Sequence, residues 1–322
     1  MPDISWVFRR IPITKVSVID GKLSGLIYPR GFYYGAMTPV VLKNLFRLCY
    51  NGAWKLGPLS SLTQRILHKV HPLGHLYSRF LLQPSLPASD VVLAFDDQRI
   101  WVHNPKENVI GQEIFLRGLW EPEVTKFVCP RINPGMTVID VGADIGYYTL
   151  LFAKRVGEGG RVCAFEPIPK ARATLERNVG LNRYENVTIF DYALYDASGT
   201  FVLEGPLEAS RINPAKNRAG EKDLEIQTRV FDDCFAELSI ETIDLVKIDV
   251  EGAEINVLKG MKRCLQEFHP NLLVEVHPAH LSKFKHRAEE LLQFLKELRY
   301  DIYPIDKSCL DFKSGNITIY GC

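Results

Sequence analysis

Val138-Ile-Asp-Val-Gly-Ala-Asp-Ile-Gly-Tyr-Tyr-Thr149 is the stretch whose reading decides the fold of this chain. A short apolar run ends in Asp140, and glycines follow at positions 142 and 146. A helix-compatible apolar stretch, Tyr148 to Arg155, comes next. That order predicts strand, tight turn, helix. A turn without side chains lets a ligand approach the backbone, and a helix start offers unpaired N–H groups. In a doubly wound α/β fold this is where a nucleotide binds. The plainer alternative is that Gly142 and Gly146 only permit close helix–strand packing.

The spacing narrows the ligand. A dinucleotide turn of the NAD type wants Gly-x-Gly-x-x-Gly, so that a pyrophosphate can lie against the loop. Here the pattern is Gly-x-x-x-Gly, with Asp140 before it and Asp144 inside it. Two carboxylates repel a pyrophosphate and suit a ligand that carries positive charge. An adenosyl group joined to an amino acid has that character, and S-adenosylmethionine is the common example. An oxidoreductase using a nucleotide is disfavoured by the same two features.

Two further segments point to the same crevice. Val162-Cys-Ala-Phe-Glu-Pro167 is a short apolar strand ending in Glu166, 24 residues after Gly142. Dinucleotide folds place the acid that bonds both ribose hydroxyls at about 20 residues from the glycine turn. A carboxylate can accept from two neighbouring hydroxyls at once. Ile243-Asp-Leu-Val-Lys-Ile-Asp-Val-Glu-Gly-Ala-Glu254 is a β-rich run ending in Asp249, followed by a new helix. Ligands bind beyond the carboxyl ends of strands, which directs Asp249 toward Asp140 and Glu166. Lys247 shares a strand face with Asp249 and reads as one half of a buried charge pair.

Together and in this order, the three segments resemble the FkbM family of S-adenosylmethionine-dependent methyltransferases, over roughly residues 110 to 320. The resemblance implies a class I, Rossmann-like α/β fold: seven strands, mostly parallel with the last antiparallel, and helices on both faces. It implies methylation, mainly of hydroxyl groups on sugars and secondary-metabolite scaffolds. It assigns cofactor contacts to Glu121, Asp140, Gly142, Ala143, Asp144, Gly146, Tyr148, Thr149, Glu166, Pro167, Asp191, Ala193 and Asp249. Asp144 departs from the family pattern, which usually has Asn there, and adds a charge near the methionine end of the cofactor. A hydroxyl is a poor nucleophile, so a base must help remove its proton. Asp249, Glu275 and His277 are the candidates at strand ends, with Asp249 or His277 preferred. A divalent metal held by Asp249 and a second carboxylate is the weaker alternative, and no metal site is expected. Other readings are a non-catalytic cofactor-binding regulatory domain, or methylation of an amine or a nucleic acid.

The 322 residues suffice for one large α/β domain plus an extension. The net charge of +1 hides an asymmetry. Residues 1–89 hold 11 Lys and Arg against Asp3 and Asp20, and the remainder is acidic. The expected division is therefore a basic, largely helical N-terminal extension, 1–89, and a methyltransferase domain, 90–322. Basic amphipathic helices lie in membrane interfaces, so the extension is a candidate for docking on an anionic membrane surface or a lipid-linked acceptor. The bland alternative is a helical cap; nucleic acid is the least favoured partner. Seven dispersed cysteines without a Cys-x-x-Cys pair suit a reducing compartment. No apolar run long enough to span a bilayer stands out, which gives a cytoplasmic expectation, with peripheral membrane contact as the variant. The polar stretch 205–222 reads as a substrate-facing loop.

Overall fold

The computed structural model describes residues 17–18, 87, 89–204, 211–214, 224–284, 286–305 and 317–322. The chain forms two compact units, Met1–Trp120 and Glu121–Cys322. Most of the basic, largely helical extension expected over residues 1–89 lies outside the described residues.

In the first unit, strands β1 (Ser17–Val18), β2 (Val91–Phe95) and β3 (Gln98–Val102) form a small antiparallel sheet in that order. β2 and β3 are joined through Asp96 and Asp97, both at positive φ (44° and 58°), the conformation a two-residue hairpin turn needs. The helix Val109–Arg117 follows. Asn108 caps it by accepting the Gly111 N–H at 2.7 Å, and Gly118 ends it in the left-handed region.

The second unit is built on seven strands: β4 (Thr137–Val141), β5 (Arg161–Phe165), β6 (Val187–Phe190), β11 (Leu245–Ile248), β12 (Asn271–Val276), β13 (Ile302–Pro304) and β14 (Ile317–Gly321). Their order across the sheet is β13-β14-β12-β11-β4-β5-β6. β6, β5, β4, β11 and β12 pair in parallel, whereas β14 runs antiparallel to both of its neighbours. This is the class I methyltransferase fold expected from the motifs. A parallel sheet covered on both faces demands continuous apolar strands. β11 accordingly buries all four of its residues, and the core gathers Ile139, Phe165, Val246, Leu272, Val274 and Ile319. A second, four-stranded sheet has the order β7-β10-β8-β9. It contains β7 (Ala193–Leu194), β8 (Gly199–Glu204), β9 (Arg211–Pro214) and β10 (Leu224–Arg229). β9 lies within the stretch expected to be a loop. It pairs with Phe201–Glu204, so that stretch is a strand at 211–214, and the rest of it lies outside the described residues.

Candidate active site

The turn after β4 is held from three sides. The Gly142 and Ala143 N–H groups donate to the Phe165 carbonyl at 3.0 and 3.2 Å, and the Asp249 N–H donates to the Val141 carbonyl at 3.0 Å. Gly142 sits at φ +78°, and a β-carbon there would lie 1.9 Å from the Asp249 carbonyl oxygen. Gly146, at φ +94°, would meet Leu175 at 2.6 Å. Close packing against the Asp249 backbone requires a glycine at 142, in line with the packing alternative, and the positive φ favours one at 146. Asp144 occupies the left-handed region (φ 47°) with an exposed side chain; Asn and Asp tolerate that conformation best after Gly. The helix Tyr147–Val156 then begins.

The neighbouring strand ends bring up carboxylates on both sides, because β4 lies between β5 and β11. Glu166, 4% exposed, accepts the Asp144 N–H on one oxygen (2.9 Å) and the Ile168 N–H on the other (2.8 Å). Burial pushes its carboxyl up to about 7, against the pull of those two donors. Asp249 follows β11 with its side chain 27% exposed. Pro167 is half-buried and Asp191 exposed, while Ala193 is buried in β7.

Three of the expected cofactor contacts face elsewhere. Asp140 is completely buried: one oxygen accepts the Thr149 hydroxyl at 2.6 Å, and the other lies 3.8 Å from the Lys247 ammonium. Thr149 is committed to that bond. Tyr148 is buried and donates its hydroxyl to Glu121 at 2.6 Å, with Lys247 Nζ 5.0 Å from its ring centroid. Strand register explains the arrangement. Lys247 on β11 is the cross-strand partner of Asp140 on β4, and its ammonium also reaches Asp249 at 3.3 Å. Burial opposes that charge, but Asp249 and Asp140 outweigh it and keep Lys247 protonated. The expected charge pair is present, with Asp140 as a second partner.

Glu121 joins the same network from the start of the helix Pro122–Val128, at a left-handed φ of 40°. Burial first, and then the Glu275 charge, push its carboxyl up to about 7. Glu121, Tyr148, Lys247, Glu275 and Thr318 line a small cavity.

His277 follows β12 and is 3% exposed. Its Nδ1 lies 2.7 Å from Glu254, and its Nε2 faces Glu275, Glu251 and Asp249. Burial opposes protonation, yet the hydrogen bonds and charges of Glu254 and Glu275 win and push the imidazole up to about 11. His277 thus sits with both ring nitrogens facing carboxylates. Glu254 carries no role in the sequence reading. Its place opposite His277 was missed, because the two lie 23 residues apart and meet only once β11 and β12 pair.

Comparison with known proteins supplies the family. The family described as Methyltransferase FkbM domain matches residues 140–302, half of the chain. The chain belongs to the FkbM methyltransferase family. The AMB antimetabolite synthetase AmbE of Pseudomonas aeruginosa is 29% identical over 231 residues, 60% of this chain and 10% of that protein. The 2-O-methyltransferase NoeI of Sinorhizobium fredii is 29% identical over 150 residues, 41% of this chain and 60% of that protein. The 31-O-demethyl-FK506 methyltransferase FkbM of Streptomyces tacrolimicus is 31% identical over 176 residues, 46% of this chain and 67% of that protein. The chain thus spans a tenth of the first relative and about two thirds or less of the other two. Among the described residues of this FkbM member, no helix is long and apolar enough to cross a membrane.

Proposed function

We propose that this chain is an S-adenosylmethionine-dependent O-methyltransferase acting on a hydroxyl of a sugar, glycolipid or secondary-metabolite acceptor. One observation carries the reading: the glycine turn after β4 is flanked by Glu166 after β5 and Asp249 after β11. The residues fit the cofactor by their chemistry. Glu166 spends one acceptor position per oxygen on backbone N–H groups, and each oxygen has a second position for a ribose hydroxyl. Exposed Asp144 and Asp191 and half-buried Asp249 add negative charge suited to an ammonium and a sulfonium. The names of NoeI and of the FK506 methyltransferase support oxygen as the atom methylated.

The bound cofactor would supply an activated methyl group. Its carbon–sulfur bond would break, leaving the electron pair on sulfur, as the acceptor oxygen takes the methyl carbon. The chain's own task is to place the acceptor oxygen in line, which contributes on the order of 7–11 kcal/mol. Asp249 receives the hydroxyl proton. Lys247 holds one Asp249 oxygen at 3.3 Å and aims the carboxylate. Asp140, paired to the same Lys247, positions it from below. Residues 1–89, tied to β2 through the Ser17–Val18 strand, serve as a basic extension that docks on an anionic membrane surface or lipid-linked acceptor, in a cytoplasmic setting. The net charge of +9 over that stretch supports this part of the reading.

Calorimetry with S-adenosylmethionine and S-adenosylhomocysteine release over a panel of hydroxylated acceptors test the proposal. Glu166→Ala is expected to abolish cofactor binding. Asp249→Asn is expected to keep binding and lose turnover. Wild-type protein that ignores S-adenosylmethionine overturns the reading.

A further inference from the structure

Beyond the glycine turn, the ends of β11 and β12 bring Glu275 and His277 up to Asp249. Oxygens of Asp249 and Glu275 and Nε2 of His277 all lie within 4.8 Å of one another. His277 Nε2 is 3.4 Å from Glu275 Oε1, 3.6 Å from Glu251 Oε2 and 4.0 Å from Asp249 Oδ1. Each contact is longer than an ordinary N–H···O hydrogen bond of about 2.9 Å. The ring nitrogen is thus buried and aimed at three carboxylates, with a long hydrogen bond to Glu275 and looser contacts to Glu251 and Asp249. Ligand atoms bound to one small divalent cation at about 2.1 Å stand roughly 3.0–3.5 Å apart, so this spacing needs only a modest contraction to close around an ion.

The far side of the imidazole points the same way. Glu254, fully buried, accepts at Nδ1 over 2.7 Å, and the same oxygen takes the Gly252 N–H at 2.9 Å. A histidine that binds metal almost always gives its other N–H to a carboxylate or carbonyl, which sets the tautomer and the ring plane. The turn between the ligands is also fixed. Gly252 sits at φ +111°, and a β-carbon there would lie 2.7 Å from His280 Cβ. Charge favours an ion as well: Asp249, Glu251, Glu254 and Glu275 surround His277, and Lys247 is shared between Asp249 and Asp140.

We infer that Asp249, Glu275 and His277 form a binding site for one divalent transition cation at the acceptor end of the crevice. One imidazole nitrogen with two carboxylates selects the Mn²⁺, Co²⁺ and Zn²⁺ class over Ca²⁺ or Mg²⁺, which prefer all-oxygen ligands. Asp249 binds through Oδ1 while Oδ2 stays on Lys247. Remaining coordination positions suit an acceptor hydroxyl, whose acidity the ion would raise, so that the neighbouring carboxylates need be only weak bases. That last role rests on the methyltransferase reading; cation binding itself does not.

The test uses the full chain, freed of metal by chelation, without cofactor or acceptor. Mn²⁺ is titrated with free ion read by electron paramagnetic resonance, and Co²⁺ is added with its visible absorption recorded. One ion per chain is expected, with the absorption of a nitrogen–oxygen site. Glu275→Gln and His277→Gln should each weaken binding by about tenfold or more. Circular dichroism identifies a variant that fails to fold; Glu275→Gln, less buried, then carries the test alone. Folded wild-type protein that binds neither ion at millimolar concentration overturns the inference, as does undiminished binding in folded Glu275→Gln. Cofactor calorimetry, run separately, shows whether the methyltransferase reading stands or falls independently.

Discussion

Glu166→Gln should make the protein relatively more stable as pH rises, while impairing it as a cofactor binder. Burial moves the Glu166 carboxyl from its ordinary 4.5 to about 7, so the native state holds a proton that the unfolded chain releases. A carboxyl raised in this way stabilises the fold fully below pH 4.5. That contribution drains away as pH climbs to 7, and nothing further changes above it. At about 1.36 kcal/mol per pH unit, the full swing is roughly 3 kcal/mol. The amide does not titrate, but it turns one acceptor into a donor facing the Asp144 or Ile168 N–H, at a constant cost of about 1–3 kcal/mol. The constant term offsets the curve, and the pH-dependent term sets its slope. Urea unfolding of both proteins from pH 4.5 to 8 should therefore show the variant gaining on the wild type by roughly 3 kcal/mol, almost all of it below pH 7. Calorimetry on the wild type should show cofactor affinity falling as pH drops through 7, since a ribose is held by the ionised form. A stability difference that stays flat across this range would refute the assignment of a protonated, buried Glu166.

Other expectations follow from neighbouring geometry. Gly142→Ala places a methyl 1.9 Å from the Asp249 carbonyl oxygen in a left-handed residue; a loss of about 4 kcal/mol or more is expected, and an unchanged thermal midpoint would contradict it. Lys247→Met strands a buried Asp140 and should cost about 3–5 kcal/mol, with most of the loss recovered on adding Asp140→Asn. Failure of that rescue, measured by chemical denaturation, would remove the pair from its proposed role. Deleting residues 1–89 should abolish sedimentation with anionic vesicles at low salt and leave cofactor binding intact. Equal sedimentation of both forms would exclude membrane docking by the extension.

The fold was legible through the resemblance carried by three apolar runs with an acid at or just past the strand end, around Asp140, Glu166 and Asp249. A parallel sheet buried on both faces leaves few other ways to write β4, β5 and β11. Chain order and the closing hairpin of β13 and β14 then fixed the antiparallel edge. What the sequence could not supply was register. Asp140 reads as a crevice residue until Lys247 is known to be its cross-strand neighbour and Thr149 its hydrogen-bond donor. His277 reads as a candidate base at a strand end until Glu254 is known to meet its Nδ1. Strand β9 was hidden because Arg211-Ile-Asn-Pro214 is short and polar, without the alternation that marks a strand. In each case the missing information was a contact between segments far apart along the chain.

The contact between Gly142 and the Asp249 carbonyl has a consequence for how such an enzyme can change. It welds the turn proposed to grip the cofactor to the residue proposed to meet the acceptor, with no slack between them. Any substitution that reshapes one corner drags the other along, and drift toward new acceptors is confined to side chains standing clear of the joint.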